Sequence, residues 1–129
     1  MRRTPHDPMA RRLRALGFTE SAALRLARAG TPIDLDAGVP LTVEGERGAE
    51  AFLILDGEAV VELSDGPVVV GPGAVVGEIA ALDPFARRNA TVRTTERSLV
   101  LVYDVATFRG LAASDLRPLL VPERTPVAA

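Results

Sequence analysis

GPGAVVGEIAALDPFARRNATV, residues 71–92, is the stretch on which the reading of this chain turns. It opens in a glycine turn, carries Gly77-Glu78-Ile79-Ala80, and closes on Arg87-Arg88-Asn89-Ala90-Thr91 before a β-branched run. Glycine lets a chain turn sharply and come close to a ligand. The residues after Gly77 are good helix formers, but Asp83-Pro84 leaves room for little more than one turn. The first amides of such a turn have no partner within it, and together with the helix dipole they attract an anion. Glu78 stands at that start as an acceptor for a hydroxyl. Arg87 and Arg88 return after the loop with guanidinium forks that suit phosphate oxygens. An anion cradle, a cation and a hydroxyl acceptor are what a sugar phosphate needs. The residues alone leave a plainer alternative open, in which Glu78 and Arg88 pair with each other in a surface contact worth about 0–1 kcal/mol.

The chain before and after this stretch reads as short strands parted by turn residues. Apolar or β-branched runs at 31–35, 40–43, 51–55, 58–63 and 68–70 alternate with turn segments rich in Gly, Asp, Ser and Pro, and two more runs, 91–94 and 98–103, lie around Thr95-Glu96-Arg97. Even spacing of this kind predicts an all-β roll or sandwich. Asp56-Gly57, between two such runs, predicts a hairpin. Residues 99–102 are apolar at every position, so that strand is expected to be covered on both faces.

The ends of the chain have the other periodicity. Asp7-Pro8 predicts a helix start, with Asp as cap and Pro at the first helical position. Met9, Leu13 and Leu16 follow at helical spacing up to Gly17, and Thr19 predicts the cap of a second helix ending at Gly30. After the β pattern, Asp104 predicts a cap for a helix with Phe108 and Leu111 inward, and residues 114–120 offer another turn or two, limited by Pro118. The expected layout is one domain over 1–129: helices over about 8–29, a β-roll over about 31–104, short helices over about 105–121 and a tail from 122. The fold class is mainly β with flanking short helices.

Composition narrows the function. The 129 residues carry a formal charge of −2, and all 15 basic residues are arginine. That balance gives no general attraction to nucleic acid or to an anionic membrane. The arginines at 11, 12, 14, 25 and 28 read as the solvated face of two amphipathic helices, without interleaved aromatics to stack bases. There is no cysteine, hence no disulfide framework, thiolate zinc site or cysteine nucleophile. His6 is the lone histidine, so neither a histidine-held metal nor a base for Ser64, Ser98 or Ser114 is expected. No catalytic residue, metal or cofactor is expected. No apolar run reaches the roughly 18–20 residues of a membrane span, and no apolar segment follows Arg2-Arg3 as in a secretory signal. The expectation is a cytoplasmic protein.

The central stretch resembles the phosphate-binding cassette of the cyclic nucleotide-binding domain, the family of the catabolite activator protein and the regulatory subunits of cAMP-dependent protein kinase. Gly77-Glu78-Ile79-Ala80 matches the opening of that cassette and Arg88-Asn89-Ala90-Thr91 its close. The similarity extends to Glu44-Gly45-Glu46, to Phe52-Leu53-Ile54-Leu55 followed by Gly57, and to Gly71-Pro72-Gly73. It implies a jelly-roll-like β-roll. It further implies that Arg88 meets a cyclic phosphate, that Glu78 takes the ribose 2′-hydroxyl, that the short helix aims its amides at the phosphate, and that Ala90 and Thr91 border the ligand. Val76 stands where members carry an aromatic, Ala49 and Ala74 where they often carry Asp, and Asn89 where they carry a small residue. The long C-terminal helix that covers the base and often dimerises in members is not matched, nor is a DNA-binding module, so the sequence does not predict the oligomeric state.

The resemblance implies a stand-alone module that binds cAMP or cGMP, with Gly77, Glu78, Ile79, Ala80, Arg88, Asn89, Ala90 and Thr91 as ligand-binding residues, and signals to an effector protein. The alternative is a roll that has lost its ligand and serves as a protein-interaction domain. An enzyme is not expected; Glu78 with Asp83 reads as a ribose acceptor and a helix-ending residue rather than as an acid–base pair.

Overall fold

The computed structural model describes residues 7–77 and 87–112. Glu78, Ile79 and Ala80, with the turn expected after them, lie outside the described residues, as do the N-terminal tail and the segment expected at 114–121.

Two helices, α1 (Pro8–Ala15) and α2 (Glu20–Ala29), precede the strands. The Asp7 carboxylate accepts from the amides of Met9 at 2.9 Å and Ala10 at 3.3 Å, and the Thr19 hydroxyl accepts from Ala22 N at 3.2 Å. Each cap satisfies donors that a helix start leaves open. The strands are β1 (Thr31–Leu35), β2 (Pro40–Thr42), β3 (Glu50–Asp56), β4 (Ala59–Glu62), β5 (Val68–Val70), β6 (Val75–Val76), β7 (Thr91–Thr94) and β8 (Ser98–Asp104). Helix α3 (Val105–Ala112) follows β8, with the Asp104 carboxylate accepting from Thr107 N at 2.8 Å. That backbone bond holds the Asp104 carboxyl below its ordinary range.

The strands form two four-stranded antiparallel sheets, in the orders β1-β8-β3-β6 and β2-β7-β4-β5. The family-like β-roll is thus a sandwich with helices laid on one side. One core lies between the helices and the first sheet, with Leu13, Ala23, Leu26, Leu53, Leu101, Tyr103 and Phe108 buried in it. The other lies between the sheets and holds Phe52, Ile54, Val61, Val76, Ala90, Val92 and Val100. Strand β3 therefore sends Ala51, Leu53 and Leu55 to the helices and Phe52 and Ile54 to the second sheet. Strand β8 divides in the same way, with Leu101 and Tyr103 in one core and Val100 in the other. Both strands read as unbroken apolar runs because both of their faces are covered.

The hairpin expected at Asp56-Gly57 is absent. Both edges of β3 are taken, by β8 and β6, and β4 lies in the other sheet. Gly57, at φ 98°, carries the chain from one sheet to the other. The Thr95-Glu96-Arg97 turn makes the reverse crossing, from β7 to β8. A turn signal marks where a strand ends, not which sheet the next one joins. Strand β6, not among the runs expected from the sequence, pairs with Phe52 and Leu53 and brings Gly77 beside the start of β3.

The helices are tied to the roll by Tyr103, whose buried hydroxyl donates to Leu26 O at 2.7 Å. Burial pushes its phenol pKa well up, so the ring stays neutral. A Cβ on Gly30 would stand 2.7 Å from Tyr103 Cζ, and the chain leaves α2 through that glycine. Tyr103→Phe is expected to lower unfolding stability by about 1 kcal/mol, the worth of one buried hydrogen bond. The loss is not larger because Leu26 O keeps the Gly30 amide, at 3.1 Å. Urea unfolding of the two proteins measures it, and equal midpoints would show that the bond contributes nothing.

Candidate anion site

The site lies where the two sheets meet at one end of the sandwich. Residues 87–91 lead into β7 of the second sheet, while Gly77 follows β6 and Glu50 opens β3, both of the first. A strap of backbone and side-chain bonds holds residues 87–91 against 42–47. Arg88 N donates to Glu46 O at 2.8 Å, and Gly45 N donates to Arg88 O at 2.8 Å. Arg47 and Arg87 form an isolated antiparallel bridge. The buried Thr42 hydroxyl donates to Ala90 O at 2.9 Å, and the Thr91 hydroxyl accepts from Glu44 N at 2.9 Å. Gly45 sits at φ 85°, the left-handed geometry that glycine supplies most readily.

The strap sends the Arg88 side chain inward, and only 5% of the residue is exposed. Its Nη1 donates to Gly77 O at 3.0 Å and its Nη2 to Glu50 O at 2.8 Å. Burying a guanidinium is costly unless its donors are engaged, and these two carbonyls offset part of that cost. They also set the plane of the fork, one anchor on each of two strands' ends. The two halves of the sequence motif, Gly77 and Arg88, are therefore in direct contact.

Glycine is needed here for space. Gly77 has φ 83°, and a Cβ there would stand 2.6 Å from Arg88 Nη1 and 3.1 Å from Glu50 O. A Cβ on Gly48 would overlap the Arg88 Nε, Cζ and Nη2 atoms. Gly48 and Thr42 were not among the expected site residues. Neither has a local signature, since each is defined by an atom far along the chain.

The other expected residues are placed differently from one another. Asn89 is exposed, Ala90 is fully buried in the core between the sheets, and Thr91 is half-buried. Arg87 is exposed and donates to Gly45 O at 3.0 Å, which makes it part of the strap. Ala49 is exposed, and the neighbouring residue, Glu50, offers Arg88 its backbone carbonyl. Among the described residues no group of acidic or histidine side chains is arranged to hold a metal ion. None of their helices is long and apolar enough to cross a membrane.

The profile of the family described as "Cyclic nucleotide-binding domain" matches residues 32–115. The chain is 38% identical over 94 residues to the Pycsar effector protein PaPycTIR of Pseudomonas aeruginosa, which covers 72% of this chain and 30% of that protein. It is 33% identical over 94 residues to a cyclic nucleotide-gated potassium channel of Rhizobium etli, covering 73% of this chain and 26% of the channel. The structure of the regulatory domain of Toxoplasma gondii PKA with cAMP superposes with a TM-score of 0.63 at 25% identity, over 80% of this chain and 42% of that one. The match thus spans about a third or less of the length of these curated relatives.

Proposed function

The chain belongs to the cyclic nucleotide-binding domain family, and from that premise we propose that it is a sensor module that binds a 3′,5′-cyclic nucleotide and reports its occupancy to an effector. Arg88 meets the cyclic phosphate. Glu78 accepts from the ribose 2′-hydroxyl, and the amides from Glu78 through Ile79 and Ala80 face the phosphate, with Gly77 turning the chain to bring them there. Asn89 and Thr91 border the ligand on the Arg88 side, and Ala90, expected there too, stands behind them as a small residue fully buried in the core between the sheets. The module binds and does not catalyse, and it acts in the cytoplasm. The effector is a separate protein or a further domain, consistent with a relative that is itself described as an effector protein.

One observation carries the reading. Arg88 is a buried guanidinium whose plane is fixed by Gly77 O and Glu50 O, which joins the glycine opening of the motif to its cationic close. A fork held before the ligand arrives needs little reordering on binding, and preorganisation of that kind raises affinity.

The test is calorimetric titration with cAMP, cGMP, cCMP and cUMP, each beside its 5′-monophosphate. At least one cyclic nucleotide is expected to bind, and its 5′-monophosphate at least about tenfold more weakly, a difference of about 1.4 kcal/mol. The extra charge of the open phosphate, close to Glu78, opposes binding. An absence of heat with all four up to about millimolar, a Kd worth about −4.1 kcal/mol, would overturn the sensor reading in favour of a roll used for protein interaction. A preference for a 5′-monophosphate would place a different ligand in the site.

A further inference from the structure

Gly48 lies outside the motif, on the loop that leads from β2 to β3. Seven glycines in the described residues have positive φ: Gly17, Gly38, Gly45, Gly57, Gly66, Gly73 and Gly77. Gly48 is not one of them, so its backbone would accept an L side chain. Its restriction comes from outside its own backbone. The Nε, Cζ and Nη2 atoms of Arg88 occupy the place where a Cβ would be. Those atoms are not the loose end of a surface side chain, because Arg88 is 5% exposed and bonded at Nη1 and Nη2 to Gly77 O and Glu50 O. The guanidinium therefore lies in a slot with the bare backbone of Gly48 against its Nε and Nη2 and that of Gly77 against its Nη1.

We infer that Gly48 is a positioning residue of the anion site: by having no side chain it lets the Arg88 fork lie in the plane set by Glu50 O and Gly77 O. A methyl group at 48 moves the fork out of that plane or breaks its bond to Gly77 O or to Glu50 O. The phosphate then meets a guanidinium that is present but wrongly aimed. The inference rests on the sensor reading above for its ligand, and on geometry alone for the contact between Gly48 and Arg88.

Two arms test it. In the first, Gly48→Ala is titrated with whichever of cAMP, cGMP, cCMP and cUMP the parent protein binds best, at a temperature where circular dichroism shows the variant folded. The expected result is binding weakened by at least about tenfold, the scale of losing a charge-assisted contact. In the second, without ligand, thermal midpoints are compared for the parent, Gly48→Ala, Arg88→Ala and the double variant. The expected result is a drop for Gly48→Ala that disappears in the Arg88→Ala background, since truncation empties the slot. Residues in contact show such coupling, and distant ones do not. A Gly48→Ala chain that folds only together with Arg88→Ala is the same result in stronger form. Unchanged nucleotide affinity in Gly48→Ala overturns the inference and leaves the sensor reading standing, as does an equal midpoint drop in both backgrounds. A parent protein that binds none of the four nucleotides removes the sensor reading, and the positioning role with it.

Discussion

Arg88→Ala is expected to weaken cyclic nucleotide binding at least about tenfold and to lower stability at the same time. The first effect follows from losing a hydrogen-bonded charge at a phosphate, worth about 1.5–3 kcal/mol. The second follows from position. Arg88 is buried, and its removal leaves Gly77 O and Glu50 O without the donors they have now. An unsatisfied buried acceptor costs about 1–3 kcal/mol, less where water enters the vacated space. The two effects are separated by measuring affinity well below the melting midpoint and unfolding by urea. Arg88→Lys sharpens the contrast. Lysine keeps the charge but not the planar fork, and one ammonium cannot span both carbonyls in the same plane. It is expected to fall between the parent and Arg88→Ala in both measurements. An Arg88→Ala protein that binds its nucleotide as the parent does would remove Arg88 from the ligand site, although the β-roll would be unaffected.

Gly57→Ala is expected to be the most damaging single methyl group in the roll outside the anion site. Gly57 has φ 98°, a conformation that L residues rarely hold. A Cβ there would overlap the Ser98 hydroxyl oxygen and stand 2.7 Å from both Arg97 O and Ser98 Cα. Two of those three atoms are backbone or Cα, so no side-chain rotation relieves the overlap. Left-handed geometry costs a residue with a Cβ roughly 1–2 kcal/mol, and forced overpacking about 1–3 kcal/mol. A loss of about 3 kcal/mol in urea unfolding is therefore expected, with the dependence on urea unchanged. A loss below about 1 kcal/mol would mean that the crossing between the sheets yields easily at Gly57 and Ser98.

The strands were legible because their ends are written in local chemistry. Gly, Asp and Pro clusters fell at the true limits of β3, β4 and β5, the polar Thr95-Glu96-Arg97 parted β7 from β8, and the caps at Asp7, Thr19 and Asp104 were readable from one side chain and the residues just after it. The assignment of strands to sheets was not legible. Asp56-Gly57 has the composition of a tight hairpin, yet β3 has its neighbours in β8 and β6, chosen by burial on both faces rather than by the turn. The site divided the same way. Gly77 and Arg88 were visible as a motif, and the structure joins them at 3.0 Å. Gly48 could not be seen, because what restricts it is a guanidinium from residue 88 and not any feature of its own segment. Thr42 was hidden for the same reason: its hydroxyl serves Ala90 O.

The repeated passage of the chain between sheets also sets the order of events when the protein is made. Thr31 pairs with Val102 and Leu35 with Ser98, so the first described strand of the roll waits for the last one. Strands β4 and β5 are consecutive and pair directly, which makes their hairpin the natural early structure. Non-local pairing of this kind slows folding, because loop closure must precede the contacts that reward it. On a ribosome the edge of β1 therefore stays unpaired until β8 emerges. In that interval the exposed strand carries Pro32 and Asp34, a ring without an amide donor and a charge, which discourage it from pairing with another chain.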